Sequence, residues 1–123
     1  MQYAQFLLGL GRVLLGGLFV VGGVHHFFII QPLSSALAAR GVPLARFSLI
    51  VASVFQVVAG LLVMVGFYVV PAALGLVLFT LVASILMLNF WDLEGPAREG
   101  AKQGFQTNVG IIGGLLVTAA TAM

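Results

Sequence analysis

Four apolar runs, set apart by the only stretches where charge and turn residues gather, restrict this chain to a lipid-embedded fold. They cover about residues 6–29, 47–67, 71–90 and 105–122. Each has about the length that crosses a hydrocarbon layer at roughly 1.5 Å per residue. Lipid offers no partner for backbone N–H and C=O groups, so the runs are expected as helices, which satisfy those groups internally. A membrane β-barrel would need alternating segments of about ten residues, and the stretch from Val69 to Leu88 does not alternate. The expected fold is all-α, a single domain over residues 1–123. It is an integral membrane bundle of four transmembrane helices.

Composition closes the soluble alternative. Of 123 residues 7% are charged and 62% are hydrophobic, with a mean hydropathy of +1.23, whereas a soluble domain carries about 25% charged residues to face water. The net charge of +2 comes from five Lys and Arg against three Asp and Glu with no basic run, so no nucleic-acid partner is expected. The chain has no cysteine, which excludes disulfides, thiol redox chemistry and Cys-ligated metal or Fe–S centres within it. Ala36-Leu37-Ala38 has the form of a signal-peptidase site, but the run before it is too long for a signal peptide and no positive charge precedes it. The first run is expected to be retained.

The connections give topology. Gly66-Phe67-Tyr68 is too short for anything but an antiparallel hairpin, and Pro71 suits the first turn of the next helix. Between the first two runs, Leu33, Ala36 and Leu37 share one helical face, and Gly41 and Pro43 end the turn. A short helix lying at the membrane surface is expected there. Tyr68 and Trp91 suit anchoring at the headgroups. Arg40, Arg46, Arg98 and Lys102 lie in the loops after the first and third runs, so the positive-inside rule puts loops 30–46 and 91–104 in the cytoplasm and both termini outside. A bacterial cytoplasmic (inner) membrane is the expected location.

Without a hydrophobic drive between helices in lipid, small residues must let backbones approach. Four stripes qualify: Gly9, Gly16 and Gly23; Ser48, Ala52, Gln56 and Gly60; Ala73, Val77, Thr80 and Ser84; and Gly110, Gly114, Thr118 and Ala122. They are expected to face one another. On that expectation Gly114→Leu damages packing more than Leu115→Ile.

Few polar groups lie within the runs. Arg12 costs roughly 2.5–3.5 kcal/mol near a helix centre and is expected to point inward, with Gln56 as its acceptor. Structural glue or snorkelling to headgroups is the plain reading of Arg12, and contact with an anionic ligand the functional one. His25 and His26 are the only histidines. Adjacent helix positions diverge by about 100°, so they cannot ligate one haem iron together, and a metal pair would need i, i+4 spacing. No metal site is expected. Asn89, Trp91, Asp92 and Glu94 close the third helix and Asn108 opens the fourth, all at the same face as His25 and His26. If a ligand is bound, His25, His26, Asn89, Trp91, Asp92 and Asn108 are the expected contacts.

These residues carry a resemblance. Gly11-Arg12-Val13-Leu14-Leu15-Gly16, Ala39-Arg40-Gly41-Val42-Pro43, Gln56 with Ala59-Gly60-Leu61-Leu62, Asn89-Phe90-Trp91-Asp92-Leu93-Glu94-Gly95-Pro96 and Asn108-Val109-Gly110-Ile111-Ile112-Gly113-Gly114-Leu115-Leu116 are similar to the DoxX family. Its members are small four-helix bacterial membrane proteins, and the resemblance runs from about Leu10 to Ala120. It implies a membrane subunit of the kind linked to thiosulfate:quinone oxidoreductase or to complexes that handle oxidative stress. Many members carry Glu where Gln56 stands, His where Leu88 stands and Lys where Thr107 stands, so this chain lacks three ionisable groups of that pattern. The reading is therefore an accessory subunit of a quinone-linked redox system. Quinone is the one cofactor it admits, with His25 or His26 and Asn108 on the carbonyls and Trp91 on the ring. Its expected partners are the bilayer, redox-complex subunits and further copies of itself. A quinone-dependent oxidoreductase in its own right and a carrier for a small solute or lipid are the alternatives.

Overall fold

The computed structural model describes residues 2–123 and is all-α among them, with five α-helices and one short 3-10 turn. Helix α1 (Gln2–Phe28) is followed at once by α2 (Ile30–Ala39), then α3 (Ala45–Val65), α4 (Val69–Met87), the 3-10 turn Phe90–Asp92 and α5 (Gly95–Thr121). Three helical stretches are long and apolar enough to cross a membrane: Tyr3–Phe28, Ala45–Val65 and Val69–Asp92.

Local chemistry sets the breaks. Gly66 ends α3 in the left-handed region at φ 80°. There Phe67 N–H donates to the Leu62 carbonyl at 3.0 Å and Gly66 N–H to that of Val63 at 3.3 Å, the paired bonds that close a helix on a glycine. Gly41 does the same for α2, with Val42 N–H on the Leu37 carbonyl at 3.2 Å. The expected hairpin and the expected stop at Gly41 are both present. The last helix departs from expectation. It begins at Gly95, not near residue 105, because Pro96 occupies its first turn, where a proline is pre-set for the helix and loses no bond. Residues 95–104 are therefore helix rather than loop.

The helices associate as two close pairs, α1 with α3 and α4 with α5; α1 meets α5 only narrowly. In the first pair the backbones touch. A Cβ on Gly16 would run into the carbonyl oxygen of Gly60, and one on Gly60 would lie 2.7 Å from that of Gly16. Gly23 is as close to the third helix, where an added Cβ would meet a Val57 methyl at 2.6 Å. The pairs join near the α3–α4 hairpin, around Phe19, Val63, Ala73, Leu76, Leu115 and Ala119.

The small-residue stripes are used unevenly. Ala73, Thr80 and Ser84 of α4 are buried, as are Gly16, Gly23 and Gly60. Gly9 and Gly110 face open space, and a Cβ on Gly114 would meet only Leu15, at 3.9 Å. It is Leu115 that is fully buried on α5, so the tightly packed position on this helix is Leu115 and not Gly114. The reason is the close approach of α4, which leaves room on α5 for a leucine knob and uses alanine and hydroxyl residues on its own side.

Candidate functional site

Away from the hairpin the two pairs border a cavity of about 1020 Å³ that is partly open at the surface of the bundle. Phe55 and Phe79 line it, tilted with ring centres 6.4 Å apart. Gly75 makes room for the first ring, since a Cβ there would lie 2.7 Å from the Phe55 ring. Leu33 and Leu37, from the apolar face of α2, line the cavity at its loop end. The walls are overwhelmingly apolar, with a few polar side chains set into them: His26, Ser48, Gln56, Thr80, Thr107 and Asn108.

Each main polar group is held by a neighbour in its own pair. His26 Nδ1 and Ser53 Oγ share a hydrogen bond of 2.9 Å between α1 and α3. Gln56 Nε2 donates to the Phe19 carbonyl at 2.9 Å, again from α3 to α1. In the other pair Asn108 Nδ2 donates to Ser84 Oγ at 2.9 Å, and Ser84 Oγ donates to the Thr80 carbonyl at 2.6 Å. Among the described residues no side-chain hydrogen bond joins one pair to the other. Two buried oxygens, Gln56 Oε1 and Thr80 Oγ1, have no partner, although their residues are only 6% and 4% exposed. A buried acceptor left so costs about 1–3 kcal/mol.

Of the residues expected from sequence to meet a ligand, His26 and Asn108 line the cavity and His25, Asn89, Trp91 and Asp92 do not. His25 is exposed, as the 100° step from His26 requires. Trp91 packs edge-on against Phe90 and Phe105, at 5.4 and 5.9 Å, and Arg98 lies 5.7 Å above the Phe90 ring. Trp91 therefore belongs to an aromatic knot at the α4–α5 junction, outside the cavity lining. Asn89 Nδ2 donates to the Asp92 carboxylate at 3.3 Å, a local bond within that junction. Gln56 lines the cavity, but it is not the acceptor for Arg12. The Arg12 guanidinium lies at the other end of the third helix, where a Cβ on Gly66 would stand 3.3 Å from Nη2. A helix C-terminus carries partial negative charge and suits a cation.

Sequence reasoning passed over Ser53, Phe55 and Phe79, and took Thr80 and Ser84 for packing residues. The signal for the last two was present: a hydroxyl pair four residues apart, Thr80 and Ser84, in an otherwise apolar helix. Gln56, Leu88 and Thr107, the three positions that depart from the ionisable pattern of the resemblance, all line this cavity.

The family model for DoxX matches residues 7–89, two thirds of the chain. The chain belongs to the DoxX family. Over 115 residues it is 28% identical to the inner membrane protein YphA of Escherichia coli (strain K12), covering 94% of this chain and 82% of that one. No solved structure matches. As a DoxX-family integral membrane protein it carries the cavity between its helix pairs, within the region of its membrane-crossing helices.

Proposed function

We propose that this DoxX-family protein is an accessory subunit that holds a quinone-type lipophile inside the bacterial inner membrane for a redox complex. The observation that carries the reading is the cavity of about 1020 Å³ with apolar walls, two aromatic rings and a few polar groups. Such a lining receives a molecule that is mostly hydrocarbon with a small polar head. Its volume is ample for a substituted benzoquinone ring and the first part of a tail. Phe55 and Phe79 would flank the ring; His26, Gln56, Thr80 and Asn108 would face its oxygens.

In this reading the chain crosses the bilayer four times. The fourth crossing is the apolar part of α5 beyond residue 105, with the charged turns around Arg98 and Lys102 in the cytoplasm. Helix α2 lies in the headgroup layer, its Leu33 and Leu37 turned down over the cavity, and both termini are outside. The similarity to an inner membrane protein of Escherichia coli supports the inner membrane as the location. The absence of cysteine and the adjacency of the two histidines leave the chain's own side chains poorly suited to ligate a redox metal, so electrons would pass through a partner. That favours the accessory role over a self-sufficient oxidoreductase. The carrier reading is weakened by the separation of Arg12 from Gln56, which were its two supports.

Extraction of protein purified in mild detergent from quinone-rich membranes tests this. Near-stoichiometric quinone in the organic extract is expected. Protein that brings none out of such membranes, and takes up none on addition, overturns the reading.

A further inference from the structure

We infer that the cavity prefers a head that donates hydrogen bonds, so that of a quinone and its two-electron-reduced form it holds the hydroquinone more tightly; this rests on the quinone reading above. The case is an accounting of donors and acceptors. The Phe19 carbonyl can only accept, so the amide nitrogen of Gln56 must face it, and the 2.9 Å bond there fixes which way round the amide sits. What remains is Oε1, an acceptor only, buried and without a partner.

The second amide is fixed by the same logic one step removed. Ser84 gives its single hydroxyl hydrogen to the Thr80 carbonyl, so it can only accept from Asn108. The Asn108 nitrogen therefore faces Ser84, and its Oδ1 is turned away. Thr80 Oγ1 is the second buried atom in the cavity wall without a partner. Each amide nitrogen keeps a second hydrogen, but both nitrogens already have a bond. Among the residues that line the cavity, the buried atoms with no partner are oxygens, on Gln56 and Thr80.

A quinone oxygen only accepts. Seated against Gln56 Oε1 it brings two lone-pair groups together and leaves the amide oxygen unpaired, even where Thr80 Oγ1 donates to the quinone. A hydroquinone O–H donates to Oε1 and can accept from Thr80 Oγ1 in the same place. An unpaired buried acceptor forfeits about a tenfold factor in affinity, and that is the preference expected.

The test compares three probes of one shape on the protein in lipid nanodiscs under anaerobic conditions. They are a decyl-substituted benzoquinone, its hydroquinone, and the dimethyl ether of the hydroquinone, which keeps the oxygens and lacks the donors. The hydroquinone is expected to bind about tenfold tighter than the other two. Gln56→Leu removes the preference by weakening the hydroquinone alone. Gln56→Met, close in length and without the amide, does the same and serves where the Gln56→Leu variant fails to fold, whereas Thr80→Val weakens quinone and hydroquinone alike and leaves the preference in place. Equal binding of quinone and hydroquinone, or tighter binding of the quinone, overturns the inference while leaving the site a quinone site. A hydroquinone advantage that its dimethyl ether shares also overturns it, since shape would then suffice. Failure of folded protein to bind any of the three overturns both this and the reading beneath it.

Discussion

At the hairpin end of the bundle Val63, Ala73, Leu76 and Leu115 have no exposed surface. Two to three turns along the same helices Ala52, Ala83, Leu86 and Thr107 border a cavity of about 1020 Å³. The residue types are similar; the closure differs. Three residues, Gly66, Phe67 and Tyr68, tie α3 to α4 at the first end, and half of the buried core side chains there are alanine. At the other end the connections are longer, and the polar bonds His26–Ser53, Gln56–Phe19 and Asn108–Ser84 each tighten one pair without drawing the pairs together. In water such a gap would tend to collapse by excluding solvent. In a bilayer the surroundings are as apolar as the walls, so the gap persists where small residues do not close it.

The contrast breaks most readily at the closed seam. Gly60→Leu puts a side chain against the Gly16 carbonyl and the Phe19 Cβ, which an added Cβ alone would meet at 2.7 and 3.2 Å. Backbone must move, and a loss of about 3 kcal/mol or more is expected in reversible unfolding in mixed detergent. Gly17→Leu, where nothing lies within 4 Å, changes stability by no more than about 0.5 kcal/mol. Equal losses at the two sites would mean that α1 and α3 are not in backbone contact.

A smaller effect separates the two halves directly. Leu76→Ala removes a fully buried side chain from the closed end and is expected to cost about 2–4 kcal/mol. Leu86→Ala removes the same atoms from a wall that already faces space and costs about 1 kcal/mol or less. The same unfolding titration checks both, and equal costs would mean that the loop-end half is as closely packed as the hairpin end.

Much of this was legible before any coordinates. Scarce charge and run length gave the helices; Gly41, Gly66 and the three-residue hairpin gave their order and breaks. The role of Gln56 as a polar group within the bundle was visible too, as was the nomination of His26 and Asn108. The partner of each was not. A stripe of small residues says that a helix can approach a neighbour, not which neighbour: Gly16 and Gly60 are in contact whereas Gly110 faces open space, and all three look alike in sequence. The aromatic packing of Trp91 was hidden for a related reason. Its position at a helix end is readable, but its packing on Phe105 depends on α5 starting at Gly95, ten residues ahead of the apolar run. The cavity itself has no sequence signature, because it is the space that two pairs leave when only one end is joined.

The smallest expected change is also the most pointed. Ala83 lies on the cavity wall, so Ala83→Phe places a ring in space that exists and displaces no neighbour. Overpacking normally costs about 1–3 kcal/mol; here the stability change should stay within about 1 kcal/mol. The same ring at Ala73, which has no exposed surface, would have nowhere to go. Because the added ring competes for the volume beside Phe55 and Phe79, quinone carried through purification should fall while the unfolding curve barely moves. A large loss of stability at Ala83 would show that the gap closes in the bilayer and that the hollow half is not hollow. Unchanged stability with unchanged quinone would instead move the ligand elsewhere on the protein and leave the gap to lipid.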